Sequence, residues 1–207
     1  MKQIVSSARC HWWDWRHGVH TCGEEILHLE DVSLSGRESF SHAQFYMPTH
    51  PKLVYRILNL LNLQPGRYDF VDFGSGKGRV LLIASEFPFC QVIGVEFDRR
   101  LDAMAQENIR RFDGPRKCHQ VLSICMDAVN YEPLARDTIY FLFFPFRKKV
   151  MEIVLKHIRE SIVRGAHDCF VVYVNPELAY MVDETRIFVP YYQDQYCRIW
   201  RGKRALN

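Results

Sequence analysis

The sequence predicts an α/β fold built on a doubly wound, mostly parallel sheet. Apolar runs with the composition of buried strands alternate at least four times with segments of helical spacing. A glycine-rich turn follows the first of these runs, and the tail from residue 186 alternates in the manner of a terminal hairpin. Because the chain has 207 residues, it is long enough to form one domain with a sizeable core.

The composition narrows the class of protein. Hydrophobic residues make up 48% of the chain and charged residues 25%, which is the balance of a soluble globular protein. The net charge of +3 permits a nucleic-acid partner but does not indicate one. No apolar run approaches the roughly 18 residues of a membrane span, and the N-terminus lacks the apolar core of a signal peptide. Together with seven scattered cysteines, typical of reduced thiols, this predicts a cytoplasmic protein.

Residues 1–45 are predicted to form an N-terminal cap, and residues 46–207 the main domain. The cap holds three closely spaced tryptophans, Trp12, Trp13 and Trp15, which we expect to pack on the main domain. A second interpretation is that this segment shapes the substrate pocket. Its cysteines and histidines match no standard zinc-finger spacing, so we expect no metal site. These residues are Cys10, His11, His17, His20, Cys22 and His28.

The elements of the main domain follow in order along the chain. Segment 46–64 has the apolar face of a helix, with Thr49 as its N-cap and Pro51 in its first turn. Five strands are predicted at residues 68–73, 91–97, 118–125, 137–144 and 169–174. Helices are predicted to follow the first, second and fourth strands. The turn of the terminal hairpin is placed at residues 191–194.

The glycine turn after the first strand predicts a nucleotide-type crevice at a helix N-terminus. Gly74, Gly76 and Gly78 alternate there, directly before helical spacing begins. The dinucleotide fingerprint needs its third glycine where this chain has Arg79. Asp72, at the end of the strand, would repel phosphates but would suit a cationic group. S-adenosylmethionine has an ammonium group and a sulfonium, and it has no phosphate.

The second predicted strand ends in an acid, Glu96, which lies 18 residues after Gly78. One helix and one strand span that distance, so the carboxylate is placed to accept both hydroxyls of a ribose. A surface acid that merely follows a strand remains the alternative interpretation.

Four stretches, VDFGSGKGR, VIGVEF, MDA and FLFFPF, resemble class I S-adenosylmethionine-dependent methyltransferases. The resemblance implies a seven-stranded sheet with one antiparallel strand near its end, and it places Asp127 at the adenine amino group. The residues that it implies for the cofactor are Asp72, Gly74, Ser75, Gly76, Gly78, Arg79, Glu96, Phe97, Asp127, Ala128 and Thr49.

Two further segments resemble a mostly bacterial family of such methyltransferases. Residues 13–21 fit its pattern aromatic-Asp-x-Arg-x-Gly-Val-x-Thr, and residues 46–49 fit Tyr-x-Pro-Thr. The glycine loop and residues 94–96 are also similar to the non-SET histone lysine methyltransferases. That similarity is confined to the cofactor half and does not identify the acceptor.

The candidate catalytic residues are Phe144, Pro145, Phe146, Asn175 and Tyr46. Methyltransferases that act on base amines carry Asp or Asn where this chain has Phe144, which argues against that mechanism. The aromatic pair would instead form a wall for a flat or cationic group. The alternative interpretation is that Phe144 is simply a core residue. Asn175 is a candidate orienting acceptor, and Tyr46 a polar wall. The acceptor stays open between protein, nucleic acid and small molecule. The alternatives are a non-catalytic S-adenosylmethionine-binding module and an NAD-type oxidoreductase.

Overall fold

The computed structural model describes residues 7–23, 25–26, 45–62, 64, 66–143, 147–165 and 167–202. Helix α1 and two short antiparallel strands come first, and a helix, α2, leads into the main sheet. The bounds of these elements are α1 Ser7–Arg16, β1 Glu25–Ile26, β2 Phe45–Tyr46 and α2 Pro51–Leu61.

The main sheet and its helices occupy the rest of the chain. Its strands are β3 Asp69–Phe73, β4 Gln91–Glu96, β5 Gln120–Cys125, β6 Thr138–Phe143, β7 Cys169–Val174, β8 Phe188–Gln193 and β9 Cys197–Gly202. Its helices are α3 Arg79–Ser85, α4 Arg99–Arg111, α5 Lys148–Gly165 and α6 Ala179–Glu184, with a 3-10 turn at Ala128–Asn130.

The seven strands have the order β5-β4-β3-β6-β7-β9-β8. The first five in this order are parallel, and β9 runs antiparallel to both of its neighbours. This confirms the predicted fold class. The chain builds outward from β3 to β5 and then returns to the other side of β3 with β6. In open α/β sheets, ligands bind beyond the carboxyl ends of the strands at such a reversal.

Both faces of the central strands are apolar, as expected for parallel strands covered on two sides. Phe70 and Phe141 pack in the cluster that contains α2 and α3. Val71 and Leu142 pack in the cluster that contains α5. The acids Asp72 and Glu96, near the ends of their strands, therefore adjoin the apolar cores on the two faces of the sheet. Among the helices of the described residues, none is long and apolar enough to cross a membrane.

Two local predictions are wrong. The N-cap of α2 is His50 rather than Thr49, because Pro51 takes the first helical position, and Nδ1 of His50 accepts from the backbone N–H of Lys52 (3.2 Å). The hairpin turn lies later than predicted, because residues 191–193 belong to β8. Asp194 supports the turn instead: its carboxylate accepts from the N–H groups of Tyr196 (2.7 Å) and Cys197 (2.9 Å).

Candidate active site

The glycine turn after β3 is held against the end of β4. Gly74, Gly76 and Gly78 have φ of 76°, 53° and 83°, a region that favours glycine. The N–H of Gly74 donates to the carbonyl of Val95 (2.8 Å), and the N–H of Gly78 donates to that of Ser75 (2.9 Å). The backbone of the turn is thus fixed at the carboxyl edge of the sheet, directly before α3.

Glu96 connects the two strands that the sequence predicted for the site. Its carboxylate accepts from the N–H of Gly76 (2.7 Å) and from that of Asp98 (3.0 Å), one on each oxygen. Burial raises the pKa of Glu96 to about 7. Each carboxylate oxygen has two lone pairs, so both oxygens can still accept a hydroxyl. The two amides therefore orient the carboxylate and leave lone pairs that can accept further hydrogen bonds.

Asp72 is a second buried acid at the same edge. Its pKa is raised well above the usual range, first by burial and then by the carboxylate of Glu96. In the register of the sheet it lies opposite Gly94. Two acids in one crevice would repel phosphates and would favour a cation or hydroxyl donors. These acceptors therefore fit the ammonium group and the ribose hydroxyls of S-adenosylmethionine, whereas Asp72 and the Arg79 that replaces the third glycine do not fit a dinucleotide.

Ser75 supplies a polar atom that the fold does not use. Its Oγ is buried and has no hydrogen-bond partner among the described residues. A Cβ built on Gly94 would lie 2.6 Å from this oxygen, so glycine there makes room for it. Because a buried hydroxyl without a partner is costly, a bound ligand that pairs with Ser75 would be stabilised.

The residues predicted for the adenine lie at the neighbouring strand ends. Asp127 follows β5 and is buried; it accepts from the N–H of Val129 (3.1 Å) and caps the 3-10 turn that begins at Ala128. Phe97 directly follows Glu96 and is half-buried. These residues lie at the same carboxyl edge as Glu96, because β5 pairs with β4 in parallel.

Arg79 has partners that the sequence did not predict. Its side chain is 1% exposed, and its five N–H groups are directed at the cap and at the segment before α2. The partners are Oγ1 of Thr21 (2.7 Å), Sγ of Cys10 (2.6 Å), the carbonyl of Thr49 (3.3 Å), Oδ1 of Asp14 (3.1 Å) and Sγ of Cys22 (2.9 Å). Arg79 therefore links the glycine turn to the cap.

Asp14 and Thr21 are functional candidates that the residue-by-residue reasoning missed. The carboxylate of Asp14 accepts from the N–H groups of Thr21 and Cys22 and from the hydroxyl of Thr21, each at 2.6 Å. The only signal for them was the motif at residues 13–21, which carried the family resemblance but no assigned role. The structure shows that this motif folds the cap around Arg79.

Asn108, on α4, is another missed residue. Its Nδ2 donates to the carbonyl of Lys77 in the glycine turn (2.9 Å) and to that of His20 in the cap (3.2 Å). Its Oδ1 accepts from the N–H of His20 (2.8 Å). One buried amide thus connects α4, the glycine turn and the cap. Nothing in the sequence around this asparagine, which lies on an amphipathic helix, indicated these hydrogen bonds.

Tyr46 covers the glycine turn. A Cβ on Gly76 would lie 2.1 Å from its ring, and Nζ of Lys77 lies 5.3 Å from the ring centroid. The hydroxyl donates to the carbonyl of Thr21 (2.9 Å), and burial raises its pKa. The phenol is therefore protonated at neutral pH and serves as a wall rather than as a base.

The other predicted catalytic residues are only partly described. Residues 144–146 lie outside the described residues, so the aromatic pair predicted there is not placed. Asn175 follows β7 with a left-handed φ of 50°, and its N–H donates to the carbonyl of Tyr196 (2.9 Å). It lies at the same carboxyl edge as Asp72, because β3, β6 and β7 are parallel neighbours.

Those cysteines and histidines of the cap that the structure describes are not gathered at one point. Cys10 and Cys22 both contact Arg79, and their mutual hydrogen bond lowers the pKa of Cys10 to about 6. Nδ1 of His17 lies 2.7 Å from the carbonyl of Trp13, whereas His20 is exposed. Within the described ranges, no three Cys, His, Asp or Glu side chains are grouped as metal ligands.

Comparisons with known proteins give one family match and several structural likenesses. Residues 24–125, just under half of the chain, match the model of a family described as histone methylation protein DOT1, which is a family of S-adenosylmethionine-dependent methyltransferases. No curated protein matches the chain.

Several solved structures share the fold at low sequence identity. An RNA methyltransferase from Salinibacter ruber, in complex with S-adenosyl-L-homocysteine, is 15% identical with a TM-score of 0.50, over 78% of this chain and 95% of that one. A protein described as a predicted N6-adenine-specific DNA methylase, from Listeria monocytogenes, is 11% identical with a TM-score of 0.55, over 75% and 51%. The 23S rRNA methyltransferase ErmE is 14% identical with a TM-score of 0.51, over 75% and 68%.

The family match and the shared fold confirm the class that the sequence predicted. The chain has the class I methyltransferase fold, and residues 24–125 match a family of S-adenosylmethionine-dependent methyltransferases. The structural likenesses by themselves show the fold alone.

Proposed function

We propose that the protein binds S-adenosylmethionine across the carboxyl ends of β3 and β4 and transfers its methyl group to an acceptor held over β6 and β7. In this proposal Asp72 binds the ammonium group, residues 74–78 lie along the methionine part and Glu96 binds the ribose. The hydrogen bond from Gly76 to Glu96 carries the proposal, because it joins two predicted halves of the site that are 20 residues apart in the chain.

The adenine end of the proposed site lies toward β5. Asp127 would accept from the adenine amino group, and Phe97 and Ala128 would line the ring. Ser75 would supply its unpartnered hydroxyl to the methionine part. We assign Arg79 and Thr49 an indirect role: they hold the cap against the glycine turn through the hydrogen bond between them.

The acceptor is proposed to approach from the side of β7. Asn175 lies two strand spacings from β3, or about 10 Å, which leaves room for an acceptor between it and the cofactor. The cofactor supplies a methyl group on a sulfonium sulfur. The protein's own residues supply mainly proximity and orientation. The amide oxygen of Asn175 would accept a hydrogen from the acceptor, and residues 144–146 would form an aromatic wall.

Two further proposals, on the cellular compartment and on the division of the chain, accompany this function. All seven cysteines are free thiols, which supports a reducing compartment and hence the cytoplasm. We also propose that residues 1–45 act as a cap on the domain formed by residues 46–207. The contacts of Asp14 and Thr21 with Arg79 support that division of roles.

We expect S-adenosylmethionine and S-adenosylhomocysteine to bind with micromolar affinity, on the order of −8 kcal/mol. Isothermal titration calorimetry with both compounds and with NAD measures this directly. NAD should give no heat of binding, because Arg79 stands where the dinucleotide fingerprint needs its third glycine and Asp72 lies at the strand end that its phosphates would approach. Tight binding of NAD with no response to either sulfur compound would contradict the proposal.

The affinity for S-adenosylhomocysteine should fall as the pH is lowered below about 7. The pKa of Glu96 is raised in the folded protein, so protonation competes with ribose binding below that value, and the ionised fraction falls about tenfold per pH unit. Titrations between pH 5.5 and 8.5 should show this in the wild type and a flatter profile in Glu96→Gln. Identical profiles for the two proteins would remove Glu96 from the ribose site.

The acceptor class is tested by methyl transfer in a cell extract. Protein is incubated with labelled S-adenosylmethionine and extract, and the label is separated into protein, nucleic acid and small molecules. The matching family is named for histone methylation, and similar folds include RNA and DNA methyltransferases, so each fraction is a defined outcome. Cofactor binding without label in any fraction would instead favour a non-catalytic binding module.

A further inference from the structure

The outer face of α1 exposes two large aromatic rings. Trp12 is 57% exposed and Trp15 is 79% exposed, whereas Trp13 between them is 5% exposed. Trp13 performs the packing that the sequence predicted for all three: its ring stacks on Phe112 with centroids 6.3 Å apart. The other two rings are therefore not required to attach the cap to the domain.

Exposed cations lie on α1 and at the adjoining end of α4. The guanidinium of Arg16 lies 5.9 Å from the ring centroid of Trp12. The end of α1 adjoins the end of α4: the N–H of Asp113 donates to the carbonyl of His17 (3.4 Å), and a Cβ on Gly18 would lie 3.6 Å from the carbonyl of Arg111. Glu107 is half-buried and forms ion pairs with Arg110 and Arg111, and Asp113 is an exposed carboxylate. The exposed cations of the two segments are Arg16, Arg110, Arg111, Arg116 and Lys117.

We propose that this surface, which we call the Trp–Arg surface and define as Trp12, Trp15, Arg16, Arg111 and Arg116, binds a single-stranded nucleic acid. Exposed aromatic rings beside cations suit a partner that carries both flat rings and negative charge. Bases would stack on the indoles, and phosphates would contact the guanidinium groups. The guanidinium of Arg116 lies 5.8 Å from the ring centroid of Phe112, which places it where the two segments meet.

Other occupants fit less well. A membrane-binding helix needs a broad aliphatic face. The exposed residues of α1 whose side chains are described are His11, Trp12, Trp15 and Arg16, with no aliphatic residue among them. A basic protein segment would be repelled by the surplus of arginines. An acidic peptide matches the charge but would not require two exposed rings one helical turn apart.

The test is a fluorescence anisotropy titration of the full chain with a labelled 12-nucleotide single-stranded RNA, at 50 and 150 mM salt and without S-adenosylmethionine. Trp12→Ala/Trp15→Ala should weaken binding by about tenfold or more at both salt concentrations, because base stacking is lost. Arg16→Gln/Arg116→Gln should weaken binding and also reduce its salt dependence, because fewer counterions are released.

Matched controls lie elsewhere on the protein. Tyr191→Ala removes an exposed ring from the edge strand β8, and Arg159→Gln removes an exposed cation from α5; neither should change RNA affinity. Circular dichroism checks that each variant is folded. The indole fluorescence of the wild type should also be quenched by the RNA.

Three results would overturn the proposal. The first is an RNA affinity that is the same for Trp12→Ala/Trp15→Ala and for Tyr191→Ala. The second is polyglutamate binding as tightly as the RNA with the same loss in the tryptophan variant, which would indicate an acidic-peptide site. The third is flotation with anionic phospholipid vesicles, dependent on the two tryptophans, together with no RNA binding. Because no measurement involves methyl transfer, failure here leaves the proposed function intact.

Discussion

Arg79→Met should lower the free energy of unfolding by about 3–5 kcal/mol, because it leaves the carboxylate of Asp14 buried without its cationic partner. Both side chains are buried, and Arg79 also donates to Thr21 and to the carbonyl of Thr49. A loss of this size is a large part of the 5–15 kcal/mol that is typical of a folded domain. Urea denaturation followed by circular dichroism measures it.

A matched control and a double variant make this test specific. Arg110→Met removes an arginine from the exposed surface of α4, so it should change the free energy of unfolding by less than about 0.5 kcal/mol. Arg79→Met/Asp14→Leu should recover part of the loss, because the unpaired charge is then absent. A single variant Arg79→Met that is no less stable than Arg110→Met would show that the link between cap and turn is not a stabilising contact.

Gly76→Val should weaken S-adenosylhomocysteine binding by at least about 100-fold, or roughly 2.7 kcal/mol, while the protein stays folded. The residue has a φ of 53°, which a β-branched side chain resists, and its Cβ would overlap the ring of Tyr46. The turn must then shift, and the hydrogen bond from Gly76 to Glu96 is lost with it. Calorimetry and circular dichroism on the same preparation separate binding from folding.

Gly66 supplies the control for backbone strain. It also has a positive φ, of 68°, but nothing lies within 4 Å of its built Cβ. Gly66→Val should therefore cost stability of about 1–2 kcal/mol without changing cofactor affinity. A Gly76→Val protein that binds as well as Gly66→Val would mean that residues 74–78 are not the cofactor loop.

The sequence predicted the sheet well, because each of its elements depends on residues that are close in the chain. Strand β7 was predicted with its observed bounds, and β3 and β4 to within one residue at either end. Buried parallel strands are continuous apolar runs, and a turn with three positive φ values needs glycine. The errors at Thr49 and at the terminal hairpin are local, where Pro51 and the carboxylate of Asp194 fixed the boundary.

The site was predictable in part for a similar reason. A βαβ unit has a narrow range of lengths, so an acid 18 residues after Gly78 falls at the neighbouring strand end. That reasoning brought Glu96 beside Gly76, where the structure has it. It could not reveal that the carboxylate is buried and oriented by two amides. Those amides belong to Gly76 and Asp98, and their direction depends on how the turn and the start of α4 pack.

The sequence by itself determined the fold class, the glycine turn and the two strand-end acids. The tertiary structure alone decided the partners of Arg79, Asn108 and Tyr46. Thr21 lies 58 residues from Arg79 in the chain, and His20 lies 88 residues from Asn108. A side chain's type states how many hydrogen bonds it can form but not with which residue. Over such separations only the packing of the cap on α3 and α4 determines which donors and acceptors meet.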